Sequence, residues 1–112
     1  MMQARGFIGI PAQCPLSEHV VAFEVSGDCM TGDGINDGDF VIVDPDQPVA
    51  HGDIAVFAHR TENGTEMMLK RLDRSEGIRL VPSNPAYQAI TIKHEENLSV
   101  VGKVVLTYRP HE

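Results

Sequence analysis

The stretch Val25-Ser26-Gly27-Asp28-Cys29-Met30-Thr31-Gly32-Asp33-Gly34-Ile35-Asn36-Asp37-Gly38-Asp39 concentrates the chain's turn chemistry, and a thiol stands inside it. Glycines at 27, 32, 34 and 38 permit left-handed backbone and close main-chain approach. Asp28, Asp33, Asn36, Asp37 and Asp39 can accept bonds from neighbouring N–H groups and hold tight turns. A loop built this way presents one side chain rigidly, as an active-site loop must. The plain alternative is an acidic, turn-rich connection. A calcium loop is argued against because the one-residue alternation and the closing bidentate Glu of an EF-hand are missing.

The loop must be held by what flanks it. Val20–Val25 before it and Phe40–Val43 after it read as strands, the second more buried. Pro45-Asp46-Gln47-Pro48 marks a turn, and Ile54–Ala58 is a continuous apolar run of buried-strand type. Asn63-Gly64 can fill the positive-φ positions of a tight hairpin, from which Met67, Met68, Leu69 and Lys70 return. Short strands follow at Ile78–Val81 and Ala89–Ile92, and Leu98–Tyr108 is the longest β-prone run. Residues 1–19 show no periodicity and read as an extended arm, leaving 20–112 as the folded domain. Met1-Met2 suggests a start placed at a domain boundary.

Composition agrees with a mostly β fold. The chain has 112 residues, 42% of them hydrophobic, with no Trp and 5% aromatics, so its core is built from Val, Ile, Leu and Ala. A net charge of −7 argues against a domain that grips phosphates by itself. Cys14 and Cys29 occur without an apolar signal segment or a run long enough to span a membrane, which points to a reduced cytoplasmic protein without a disulfide. Histidines at 19, 51, 59, 94 and 111 lack metal-ligand spacing, so no metal or other cofactor is expected.

Ser26-Gly27-Asp28-Cys29-Met30, Gly34-Ile35-Asn36-Asp37-Gly38-Asp39 and Val41-Ile42-Val43-Asp44 together resemble the LexA-type self-cleaving fold: SOS repressors, UmuD-type mutagenesis proteins and the C-terminal domains of phage repressors. His51-Gly52-Asp53-Ile54, Leu69-Lys70-Arg71-Leu72, Leu80-Val81-Pro82-Ser83-Asn84-Pro85-Ala86-Tyr87 and Val101-Gly102-Lys103-Val104-Val105 follow in the same order. The resemblance implies a LexA C-terminal-like domain of short, highly twisted antiparallel strands. It also implies a Ser/Lys dyad, a lysine base acting on a nucleophilic serine, with loop N–H groups stabilising the oxyanion. Mapped onto this chain, the lysine is Lys70, the nucleophile position is Cys29, and the oxyanion donors are the backbone N–H groups of Asp28 and Cys29. Read without the resemblance, Lys70 is an ordinary strand lysine, and His51 has a turn role.

Cysteine in place of serine changes the proton accounting, because a thiol beside an amine can settle as thiolate and ammonium and leave no free base. Three readings of Cys29 stay open: a natural residue of a non-cleaving repressor, an active natural variant, and an engineered Ser→Cys trap. The arm favours the first, because its nearest candidate scissile bond, Arg5-Gly6, lies closer to Cys29 than in cleaving relatives. The resemblance then implies a phage-repressor C-terminal domain that pairs upstream helix-turn-helix domains on operators, with no membrane partner and with DNA contacted only through that upstream domain. The alternative is a LexA-like or UmuD-like autoprotease using Cys29 and Lys70. A RecA filament or a phage antirepressor is the implied outside partner. Self-association, as a homodimer or a higher closed oligomer, is expected through Val100, Val101, Val104, Val105 and Leu106 if Leu98–Tyr108 is a sheet edge.

Overall fold

The run Ile54–Ala58 lacks a polar position because its strand is covered on both faces. The computed structural model describes residues 2–6, by their backbone, and residues 17–110. Its strands are β1 (Met2–Gly6), β2 (Val21–Val25), β3 (Phe40–Asp44), β4 (Ile54–Thr61), β5 (Gly64–Asp73), β6 (Ile78–Val81), β7 (Ile90–Ile92) and β8 (Leu98–Tyr108). They form one sheet in the order β1-β2-β3-β8-β4-β5-β6-β7, antiparallel at every pairing. Short 3₁₀ turns at Thr31–Asp33 and Glu95–Asn97 are the helical elements among the described residues. No described helix is long and apolar enough to cross a membrane.

Alternation along β4 and β5 divides the core in two. Val56 and Leu69 join Phe23, Val25, Met30, Ile35, Val41 and Val43 on one face, and Ala55, Phe57, Met68 and Leu72 join Leu80 and Ile92 on the other. Pairing of β4 with β5 is continuous from Ile54 opposite Arg71 to Thr61 opposite Gly64. That register seats Lys70 opposite the fully buried Ala55, and a one-residue slip would send Lys70 to the other face.

Three sequence expectations need correction. First, β8 is not an outer edge strand, since it lies between β3 and β4. It is long enough to serve both in turn: residues 98–103 pair with β4, and residues 103–108 pair with β3. At the crossover a Cβ on Gly102 would lie 2.6 Å from Val43 Cγ1 and 2.9 Å from the Asp44 backbone, so the position has room only for glycine. Second, the arm begins as a paired strand: Met2 stands opposite Val25, and the register shifts between Ala4 and Gly6. Residues 7–16, with Cys14, lie outside the described residues, as does His111. Third, the hairpin turn residues are Glu62 and Asn63, and Asn63 does not take positive φ; Gly64 does, at 111°. The Thr61 hydroxyl closes that turn, accepting from the Asn63 N–H and donating to the Gly64 carbonyl, each at 3.2 Å.

Asp44, buried at the end of β3, ties the incoming chain to the sheet. Its carboxylate accepts from Ser17 Oγ at 2.6 Å, Ser17 N–H at 3.2 Å, Asp46 N–H at 3.0 Å and Gln47 Nε2 at 3.1 Å. The Ser17 hydroxyl leads these donors in holding its pKa down, from 3.8 to about 2. A carboxylate depressed in the folded state stabilises fully above the unfolded value and ceases to do so as pH falls through the folded one. The melting temperature of the wild type is expected to drop as pH is lowered from 3.8 toward about 2. Asp44→Asn should melt lower at neutral pH and show a shallower acid slope; equal slopes by calorimetry would remove Asp44 from the account.

Candidate functional site

The loop between β2 and β3 is closed at its base by the Val25 N–H to Asp39 O bond at 2.7 Å and the Gly38 N–H to Val25 O bond at 2.9 Å. Two of its aspartates, Asp37 and Asp39, serve as internal staples. Asp37 accepts from the Gly27 N–H at 2.8 Å, and Asp39 accepts from the Asn36 N–H at 2.9 Å and from Arg109 Nε at 3.1 Å. Burial, the largest influence on Asp39, raises its pKa, but the Arg109 and Asn36 bonds outweigh it and the net shift is downward. Within this frame Met30 is 1% exposed and packs among Phe23, Val25, Ile35, Val41 and Val43, while its neighbour Cys29 stays half-buried at the rim of the same cluster.

Lys70 reaches this rim from β5. Its Nζ donates to Cys29 Sγ at 3.0 Å, and the sulfur lies 3.7 Å from the Leu69 carbonyl, to which it donates. The next residue braces the loop itself: Arg71 Nη2 holds Asp33 Oδ1 at 2.6 Å while its other nitrogen donates to the Gly52 carbonyl. Cys29, a free thiol, and Lys70 open onto a cleft of about 270 Å³. The cleft is lined by Ser26–Cys29, by Glu66, Met68 and Lys70 of β5, and by Tyr87, Gln88 and Ile90. Glu66, Met68 and Lys70 share it because they alternate on one face of β5.

The segment after β6 clasps the loop from the other side. The Ser83 N–H donates to Cys29 O at 2.8 Å, the Gly32 N–H donates to Ser83 O at 2.8 Å, and the Asp33 N–H donates to Ser83 Oγ at 3.2 Å. Asn84 Nδ2 donates to Asp28 O at 2.9 Å, and the Tyr87 hydroxyl donates to Asp28 Oδ1. That bond and the Asp28 charge raise the Tyr87 pKa above its ordinary value. The clasp requires glycine at 32, where a Cβ would lie 2.2 Å from Ser83 O.

The two side chains nominated from the sequence, Cys29 and Lys70, therefore meet in one cleft, and Asp28 lines it with them. The β8 set lies elsewhere, with Val101 and Val104 packed on the core and Val100 53% exposed. His51 has a turn role, its Nδ1 accepting from the Arg74 N–H at 2.9 Å. Sequence reasoning assigned no role to Ser83, Asn84 and Tyr87. Ser-Asn-Pro-Ala-Tyr shows only a polar turn between apolar runs, with nothing local to name its partners.

The arrangement can hold a nucleophile beside an amine in an open groove. Residues 3–105 match the Peptidase S24-like family. The chain is 37% identical over 95 residues to the LexA repressor of Syntrophotalea carbinolica, covering 85% of this chain and 45% of that protein. It is 43% identical over 84 residues to that of Oleidesulfovibrio alaskensis (75% and 39%), and 35% identical over 95 residues to that of Bacillus subtilis (85% and 44%). The chain thus spans less than half the length of these relatives.

Gly32→Ala sets a methyl against the Ser83 carbonyl and opens the clasp. It is expected to lower stability by about 1–3 kcal/mol in denaturant titrations, the usual cost of overpacking. It should also slow the reaction of Cys29 with an activated ester. Unchanged stability together with unchanged reactivity would show that the clasp does not hold the loop.

Proposed function

Because the chain belongs to the Peptidase S24-like family, we propose that it is the regulatory C-terminal domain of a LexA-like transcriptional repressor, carrying a Cys29–Lys70 dyad able to open a peptide bond laid in the cleft. The observation that carries this is the 3.0 Å contact between Nζ and Sγ at the open cleft. Lys70 as free amine takes the thiol proton, and the sulfur attacks the carbonyl carbon. The oxyanion is met by the Asp28 and Cys29 N–H groups, and the Lys70 ammonium returns a proton to the leaving amine. Water then hydrolyses the thioester. In this reading a RecA filament is the stimulating partner, as the resemblance to LexA-type proteins implies.

One observation favours a second reading, a non-cleaving relative, for which the resemblance would imply a phage-repressor type with an antirepressor as partner. The candidate bond Arg5–Gly6 lies in β1, where Gly6 stands opposite Ala22 of β2 in antiparallel pairing. Arg5 itself is the unpaired residue of a bulge, but Ala4 opposite Phe23 and Gly6 opposite Ala22 hold the strand to β2 on both sides of it, which keeps the bond from swinging into the cleft. The protein is therefore expected to stay intact at neutral pH, with no cut at Arg5–Gly6, as intact-mass measurement would reveal. The dyad is tested separately: acylation of Cys29 by p-nitrophenyl acetate should fall about 10²-fold in Lys70→Ala, the range for loss of a general base. A rate independent of Lys70 would sink the dyad.

Self-association belongs to the same proposal. Each half of β8 is paired on one side, β4 for the first half and β3 for the second, and among the described residues no strand pairs the opposite sides, to which we propose a second copy adds its own strand. Val100, 53% exposed, and Tyr108, 44% exposed, add apolar surface, and Val101, Val104, Val105 and Leu106 complete the strand. Joining two DNA-reading heads raises their effective concentration on an operator. The wild type should sediment as a dimer at tens of micromolar and Leu106→Lys as a monomer; a monomeric wild type contradicts the assignment.

A further inference from the structure

The clasp grips one particular peptide plane. Asn84 Nδ2 donates to Asp28 O at 2.9 Å, and the N–H at the other end of that peptide belongs to Cys29, one of the two donors assigned to the oxyanion. A peptide unit is planar, so fixing the direction of its carbonyl fixes the direction of its N–H. A carbonyl that accepts a bond also polarises the N–H beyond it. The amide of Asn84 is itself set, because Oδ1 accepts from the Ala86 N–H at 2.9 Å while the Asn84 carbonyl accepts from the Tyr87 N–H at 3.0 Å. With Oδ1 engaged there, Nδ2 is left to face Asp28. The next carbonyl, Cys29 O, is pinned by the Ser83 N–H at 2.8 Å.

Tyr87 controls the remaining freedom of Asp28. An aspartate with no side-chain partner can turn back to accept N–H groups of its own loop. Here that would occupy donors meant for an oxyanion and add a second negative charge beside it. The Tyr87 hydroxyl instead holds the carboxylate.

We infer that Asn84 and Tyr87 are positioning residues that aim the Cys29 N–H at the oxyanion, acting through the Asp28–Cys29 peptide. The inference rests on the thiol–amine reading above and extends it to two side chains whose bonds go to Asp28 and not to the sulfur or the amine. Its signature is selective. In acylation by p-nitrophenyl acetate, the thiol proton passes to Lys70 and the S–C bond forms with an oxyanion. The C–O bond then breaks, p-nitrophenolate leaves with the bonding pair, and a thioester remains. In alkylation by iodoacetamide the thiolate displaces iodide from a saturated carbon and no oxyanion forms.

Both reactions are measured on the 112-residue chain, with Cys29→Ala as the blank for Cys14. Asn84→Ala is expected to slow acylation about tenfold, less than outright loss of an oxyanion donor. Its alkylation rate and the pH profile of alkylation should stay within about twofold of wild type. Tyr87→Phe, which keeps the ring and so guards against a folding failure, should act in the same direction to a smaller extent. Parallel loss of acylation and alkylation in both variants, or no loss in either, overturns the inference. If wild-type acylation does not depend on Lys70, the dyad reading fails and the inference falls with it. Acylation that depends on Lys70 but not on Asn84 or Tyr87 overturns the inference alone.

Discussion

The burial of Met30 is the constraint on which the site depends. A loop rich in glycine and aspartate has little apolar surface of its own, and Met30 and Ile35 are the side chains it contributes to the core, 1% and 3% exposed. Met30 enters the cluster formed by Phe23, Val25, Val41, Val43, Val56 and Leu69, so the residue before it is fixed at the rim where Leu69 and Lys70 pass. Burying a methionine is worth roughly 1.5–3 kcal/mol, more than a single surface hydrogen bond contributes. The aspartate staples and the Ser83–Tyr87 clasp then refine a placement that packing has already chosen.

The amine comes to the same point for a different reason. Side chains alternate along β5, so Met67 and Leu69 face one cluster while Met68 and Leu72 face the other, and Lys70 shares the second face at a place where the cleft interrupts it. Continuous pairing with β4 prevents slippage, and Arg71, pointing the other way, ties β5 to Asp33 of the loop. Thiol and amine are thus brought to 3.0 Å by a loop and a strand that pack in one cluster and are tied by Arg71.

Much of this was legible in the residues. The strands flanking the loop, the all-apolar run Ile54–Ala58 and the pair Cys29 and Lys70 follow from periodicity, turn chemistry and the family resemblance. β8 was misplaced because apolar residues at consecutive positions fit either an exposed edge or a strand that changes neighbours midway, and it is the pairing of one half with β4 and the other with β3 that separates the two. Strand β1 was missed because pairing to an edge needs no alternation that a five-residue segment could display. The clasp was illegible for a related reason: Asn84 and Tyr87 bond Asp28 across more than fifty positions of sequence, and no local pattern records such a partner.

The central claim is that Cys29 attacks a carbonyl held between Lys70 and the loop N–H groups. A crystal structure of the protein soaked with a short peptide aldehyde addresses it directly. The account predicts a thiohemiacetal on Cys29 whose oxygen lies within about 3 Å of the Cys29 N–H, the distance an oxyanion donor requires, with Lys70 Nζ still beside the sulfur. An unmodified thiol at saturating aldehyde, or an adduct whose oxygen points away from the loop into solvent, would contradict it.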